Sequence, residues 1–164
     1  MRIVVVGDGK VGYTLAQQLS KENHDVVVID SNDAVLQHSL ETLDIMVVNG
    51  NGASLEAQQE AEVAKSNLLI AVTSADEVNL LCCILARKLG CKHTIARVRN
   101  PEYFQQIRYL SDELGLSMII NPERSAAWEI SRLLQFPSFI NRDSFAKGMA
   151  ELVELKIRPN SRCV

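Results

Sequence analysis

Gly7, Gly9 and Gly12 fall at GxGxxG spacing in Gly7-Asp8-Gly9-Lys10-Val11-Gly12, directly after the apolar run Ile3 to Val6. Backbone without side chains can approach an anion closely, and a helix starting there points free N–H groups at it. Gly7 permits the tight turn, Gly9 omits the Cβ that would block a pyrophosphate, and Gly12 lets the helix pack on the strand. Asp30, 18 residues after Gly12, closes a second apolar run, Val26 to Ile29. A carboxylate there accepts hydrogen bonds from ribose hydroxyls. It repels a 2′-phosphate, and the neighbouring Ser31, Asn32 and Asp33 supply no arginine. NADP is thereby disfavoured, while NAD, ATP, ADP and S-adenosylmethionine stay open, because each carries a free adenosine ribose.

The elements that must position these residues are legible. Apolar runs at Ile3-Val6, Val26-Ile29, Ile45-Val48, Leu68-Val72, Thr94-Val98 and Met118-Ile120 alternate with helical spacing such as Val11, Leu15, Leu19 and Val78, Leu81, Leu85. Nearly continuous apolar runs mean strands covered on both faces, as in a parallel sheet between helix layers. Right-handed crossovers then predict a doubly wound α/β sheet of six strands in the order 3-2-1-4-5-6. Asn100-Pro101 and Asn121-Pro122 read as helix starts, and Gly90 and Gly115 as helix ends. Ligands of such sheets lie outside the carboxyl ends of strands. Those ends are Gly7, Asp30, Asn49-Gly50, Thr73-Ser74, Arg97 with Arg99, and Asn121. Arg97 and Arg99 project to the same side of an extended segment, where they could meet phosphate or a partner's carboxylate.

Composition narrows the class. The chain has 164 residues, 47% hydrophobic and 23% charged, which fits one globular domain of ordinary size. Lys and Arg total 17 against 20 Asp and Glu, without the basic excess of a nucleic-acid binder. No apolar run approaches a membrane span and no signal-peptide layout precedes the first strand, so membrane insertion and export are not expected. Cys82, Cys83, Cys91 and Cys163 lack CxxC spacing and read as reduced structural thiols, with Cys82 and Cys83 on different sides of a helix.

A last helix is expected from 123 to 135, closed by Pro137. Its residues Ala126, Ala127, Ile130, Leu133 and Leu134 make one apolar face and Trp128 lies opposite, so a partner chain is expected to cover it. Residues 136–148 read as a linker, and Leu152, Val153, Leu155 and Ile157 as a strand that opens a further, truncated domain at 149–164. The domain itself is expected to span 1–135, with no internal repeats.

The motifs VVVGDGKVGYTLAQQL, VVVID, VVNGNGAS, AVTSADEVN, IARVRNPEY and INPE, in this order and spacing, resemble the N-terminal nucleotide-binding domain of TrkA-type proteins, the RCK or KTN domain. The resemblance covers residues 1 to about 135, and FAKGMAELVELKI is similar to the start of the family's small C-terminal domain. It implies a Rossmann fold that binds NAD(H) or ATP/ADP, pairs as a homodimer and assembles towards a ring. The ring would sit on the inner face of the cell membrane, cytoplasmic and peripheral, and gate a membrane-embedded potassium channel subunit.

Carried over by residue, Gly7, Asp8, Gly9, Lys10, Val11 and Gly12 form the phosphate loop, and Asp30 with Ser31 holds the ribose. Asn49, Gly50 and Ala53 would lie near the adenine, Thr73 and Ser74 near the phosphate or second ribose. Lys10 would act as a point charge on a terminal phosphate, and Arg97 would approach the phosphates from its own strand. Glu123 matches a position that in some relatives helps bind a divalent cation, magnesium or calcium, at the dimer interface. As a first-turn acid it is also favourable to the helix dipole without any ion. The competing reading is a small NAD-dependent oxidoreductase. His24, His38 and His93 lie away from the carboxyl ends and Tyr13 and Tyr103 form no catalytic constellation, so no catalytic residues are expected. A nucleotide-dependent repressor would need a recognition helix that the sequence lacks.

Overall fold

Val4 and Val6 pack on one face of a sheet while Ile3 and Val5 pack on the other, which is why their run has no polar alternation. In this computed structural model, which describes residues 1–135, 139–145 and 150–155, that run is β1 (Arg2–Val6). Beside it lie β2 (Asp25–Asp30), β3 (Met46–Asn49), β4 (Leu68–Ala71), β5 (His93–Arg97) and β6 (Met118–Ile120). All pairings are parallel, in the expected order β3-β2-β1-β4-β5-β6. Val6 stands level with Ile29 and Ala71, so the carboxyl ends of the three central strands open on the same edge.

Helices α1 (Lys10–Lys21) and α2 (Asp33–Thr42) cover one face through Ala16 and Leu36. The other face is covered by α3 (Leu55–Glu60), a 3-10 turn at Val63–Lys65 and α4 (Asp76–Leu89), through Ala57, Val63, Leu80 and Ala86. Full burial of each Val or Leu in these two layers stabilises by roughly 1.5–3 kcal/mol. Asn32, Ser54 and Asn100 cap their helices by accepting from Ala34, Ala57 and Glu102 amides at 3.1, 3.2 and 2.9 Å. The last begins α5 (Pro101–Leu110), with Pro101 in the first turn as expected. Gly90 ends α4 at φ 113°, a left-handed position that favours glycine.

The chain divides into two compact units, Met1–Pro122 and Glu123–Val164. The division falls at the start of α6 (Pro122–Gln135), whereas the sequence reading placed that helix in the first domain. Within α6, Trp128, Ile130 and Leu134 are exposed. The second unit also holds β7 (Phe139–Phe145) and β8 (Ala150–Leu155), paired antiparallel. This corrects the expectation of a linker followed by one strand. Phe-Ile-Asn-Arg-Asp-Ser-Phe has no period-2 apolar pattern, and its strand is defined by the backbone ladder to β8 instead. Positions 136–138 and 146–149 of the expected linker, 156–157 of the expected strand and Cys163 lie outside the described residues.

Cys82 and Cys83 are both fully buried in the same apolar layer, not on opposite environments, because α4 is covered over a face wider than the 100° between them. With Cys91 they are free thiols.

Candidate functional site

After β1, Gly7 turns at φ 97° and donates its amide to the Ile29 carbonyl at 2.8 Å. A Cβ there would meet the Thr73 amide nitrogen at 2.9 Å, and one on Gly12 would lie 1.7 Å from the Gly7 carbonyl oxygen. Both glycines are therefore required by the packing of strand, loop and helix. Gly9 differs. Nothing lies within 4 Å of a Cβ placed on it, and it lines an open cleft. It is also the N-cap of α1, and no side chain caps that end. The first amides of a helix have no intrahelical acceptor, so the cleft receives unpaired donors and the positive end of the dipole.

Asp30 ends β2 with both carboxylate oxygens held by amides. Oδ2 accepts from Asp8 at 2.6 Å and Oδ1 from Asn32 at 2.8 Å. Each oxygen keeps a lone pair for a further donor. The Asp30 carbonyl takes the Gly50 amide at 2.8 Å, which brings the segment after β3 over the cleft. There Asn51 accepts from the Ala53 amide at 3.0 Å, and Gly52 crosses Val6 so closely that a Cβ would fall 2.1 Å from its Cγ1. Buried Gln58 fixes the crossing, donating to the carbonyls of Gly52 at 2.8 Å and Cys82 at 3.0 Å.

The opposite wall is set by Asn79, fully buried in α4. Its Oδ1 accepts from the Thr73 amide at 2.8 Å and lies 2.7 Å from the Thr73 hydroxyl. Its Nδ2 donates to the carbonyls of Thr73 at 3.2 Å and Arg97 at 3.0 Å. One amide side chain thus ties the loop after β4 to the end of β5.

The resulting cleft encloses about 400 Å³. Its floor is apolar (Val6, Ile29, Val72, Val78) and its rim polar. It can hold an anion at the head of α1, a hydroxyl pair at Asp30, and a flat ring or sugar between them. Among the described residues no histidine, cysteine or tyrosine lines it.

Of the residues singled out in the sequence, Gly7, Gly9, Asp30, Ser31, Gly50, Thr73 and Ser74 line this cleft. The others do not. Gly12 is buried beneath it, while Lys10 and Val11 are exposed on the first turn of α1. Asn49 turns to Asp33, donating at 3.1 Å, and Ala53 packs against the core. Asn51 rather than Asn49 lines the cleft, because the chain bends over the sheet only after β3 has ended. Arg97 is half-buried, and what is seen of it at the site is its carbonyl. Of the arginine pair, Arg99 reaches the wall: its guanidinium donates to the Ser74 carbonyl and stands 3.7 Å from Asp76. The side chain of Asp8 is 3% exposed and turned from the cleft towards α2, where Ser39 donates to it at 2.6 Å. Burial raises its pKa, the Ser39 hydrogen bond offsets part of that, and the charge of Asp30 adds to it.

Sequence reasoning missed Asn51, Gly52, Ala75, Val78 and the support from Gln58 and Asn79. The doubled Asn-Gly of VVNGNGAS and the lone asparagine on an apolar helix face were the available signals. Glu123 is exposed in the first turn of α6. Among the described residues no group of three or more His, Cys, Asp or Glu could hold a metal ion, and no helix is long and apolar enough to cross a membrane.

The sequence pattern of the family described as TrkA-N domain matches residues 3–122. A Trk system potassium uptake protein TrkA homolog of Archaeoglobus fulgidus is 39% identical over 162 residues, 99% of this chain. The chain spans only 37% of that relative. The crystal structure of the TrkA-N domain of the inner membrane protein ybaL from Escherichia coli superposes with a TM-score of 0.72 at 25% identity, covering 81% of this chain and 96% of that one. A GsuK channel bound to NAD shares the fold, with a TM-score of 0.62 at 24% identity over 73% of this chain and 21% of the other.

Proposed function

This chain belongs to the TrkA-N domain family, and from that premise we propose that its cleft binds NAD(H) or ATP/ADP to regulate a potassium channel. The observation that carries the reading is the meeting of an uncapped helix N-terminus with Asp30 across one cleft. Phosphates would sit at the amides after Gly9, the adenosine ribose on Asp30, and the adenine over Ile29 beside Asn51 and Gly52. Lys10, on the exposed first turn, would add a point charge to a terminal phosphate. Supporting the regulatory role, the relatives carry potassium-uptake names.

The chain would act as a homodimer assembling towards a ring beneath a membrane-embedded channel subunit, on the cytoplasmic face. The exposed Trp128, Ile130 and Leu134 of α6 are suited to a partner chain. A magnesium or calcium ion at Glu123 would need carboxylates from that second chain, since the described residues gather no ligand set of their own. Nucleotides could shift the assembly only through unequal affinity for its conformations.

The test is calorimetric titration with NADH, NAD, ATP and ADP, each with and without magnesium. Saturable binding that Asp30→Ala abolishes supports the reading, and absence of binding by all four would overturn it. Light scattering with each ligand reports the assembly, and potassium uptake by cells carrying Asp30→Ala reports the regulation.

A further inference from the structure

We propose that nucleotide binding to this cleft is linked to uptake of a proton by Asp8, so that affinity rises as pH falls. The inference rests on the nucleotide reading above and adds its regulation. Asp8 stands between two glycines that line the cleft, yet its side chain is 3% exposed. Its Oδ2 takes one hydrogen bond, from Ser39 at 2.6 Å. Its Oδ1 is buried with no hydrogen-bond partner among the described residues. A buried carboxylate served by one neutral donor is poorly compensated, and the neutral acid is correspondingly favoured.

The surroundings add to this. From β2 the Asp30 carboxylate faces Asp8 and accepts its amide, so two acids share one turn. From α2 the imidazole of His38, stacked at 5.6 Å on Tyr13 of α1, faces it and works the other way in part, towards the ionised form. Lys10 at the head of α1 is exposed, and among the described residues no lysine or arginine forms an ion pair with Asp8. Phosphates bound at the loop would add negative charge beside a carboxylate that already has too little compensation. A ligand that disfavours the ionised form must bind more tightly when that form is protonated. The proton comes from solvent and resides on the Asp8 carboxyl, with no bond made or broken elsewhere.

The experiment is calorimetric titration of the chain with NAD, whose diester phosphates hold their charge in this range, and with ADP. Adenosine serves as the phosphate-free control. Titrations run from about pH 5 to about pH 8, in buffers of different ionisation enthalpy that count protons directly. The expected result is proton uptake with NAD or ADP, and affinity changing by up to about tenfold per pH unit. Adenosine should show neither. His38→Gln should retain the linkage and Asp8→Asn should lose it, binding at high pH as the parent does at low pH. Phosphate-ligand binding without proton uptake overturns the proposal and leaves the nucleotide reading intact, as does a linkage that His38→Gln removes. If neither NAD nor ADP binds, the same titrations are run with NADH and ATP, and failure of all four overturns the two together. The proton count on the parent chain needs no variant, so a poorly folding Asp8→Asn does not weaken the test.

Discussion

The amide of Asp8 donates to Oδ2 of Asp30 at 2.6 Å, which ties the loop after β1 to the acid that ends β2. With the Asn32 amide on Oδ1, the carboxylate is held at both oxygens before any ligand arrives. Asp30→Ala removes both acceptors and should cost about 2 kcal/mol of stability in urea unfolding. Asp30→Asn keeps the shape and one acceptor, so it should unfold closer to the parent while nucleotide affinity falls by at least about tenfold. Affinity unchanged in Asp30→Asn would remove the ribose from this carboxylate.

Gly9 and Gly12 separate ligand space from packing space. A Cβ on Gly12 would overlap the Gly7 carbonyl, whereas one on Gly9 meets no protein atom. Gly12→Ala should therefore destabilise by several kcal/mol or prevent folding, about 3 kcal/mol or more if the loop cannot shift. Gly9→Ala should melt like the parent but lose nucleotide binding, because the new methyl group enters the cleft. Parent-like affinity in a folded Gly9→Ala would show that no phosphate approaches this loop.

Asn79 makes its contacts through both ends of its amide, and all fall on the cleft wall or its support. Asn79→Ala leaves the half-buried Thr73 amide and two carbonyls without this partner, at a cost of about 2 kcal/mol. Asn79→Asp keeps the acceptor but turns a negative oxygen towards the carbonyls of Thr73 and Arg97, and should do no better. Denaturant midpoints of the two variants decide it, and parent-like stability in Asn79→Asp would contradict the assigned orientation of the amide.

Asp8 affects stability with a definite sign. Its folded-state pKa is raised above the ordinary 3.8, so the folded chain holds this proton more tightly than the unfolded chain does. The stabilisation from the neutral carboxyl is complete below that ordinary value and is lost as pH rises through the raised one. Asp8→Asn, which stays neutral and can still accept from Ser39, should melt above the parent at pH 7. The difference should shrink as the solution is acidified. A variant less stable than the parent at pH 7 and level with it in acid would reverse the sign and overturn the assignment.

The sheet was legible in the sequence because both of its faces are covered, and burial on both sides leaves unbroken runs such as Val26 to Ile29. The glycine loop and Asp30 were legible because they immediately follow such runs. Asn51 and Gly52 were not, since their place depends on how the chain bends after β3, which spacing along a strand does not encode. Asn79 was hidden by its helix, where one polar residue among apolar ones reads as an exception until its four bonds are seen. β7 was missed for a related reason: its ladder to β8 is a backbone property, and residues 139–145 lack the side-chain pattern that would announce it.

The cysteines of α4 offer a test of the core. Burial pushes the Cys82 thiol up to about 12, and Cys83, with Cys82 and Cys91 as neighbours, is raised further. Cys91 is also fully buried, with its sulfur 3.0 Å from the Ser66 hydroxyl that donates to it and 3.1 Å from the His93 carbonyl. A thiol of pKa about 12 is ionised to roughly one part in ten thousand at pH 8, and none of the three sulfurs meets solvent. In a Cys163→Ser background a maleimide should therefore leave the folded chain unlabelled over the time in which it labels all three thiols in urea. Labelling should track global unfolding and slow in step with any nucleotide that stabilises the fold. Prompt labelling of Cys82 or Cys83 in native buffer would mean that α4 opens locally, and the two-layer core around β4 would then be wrong in its placement of that helix.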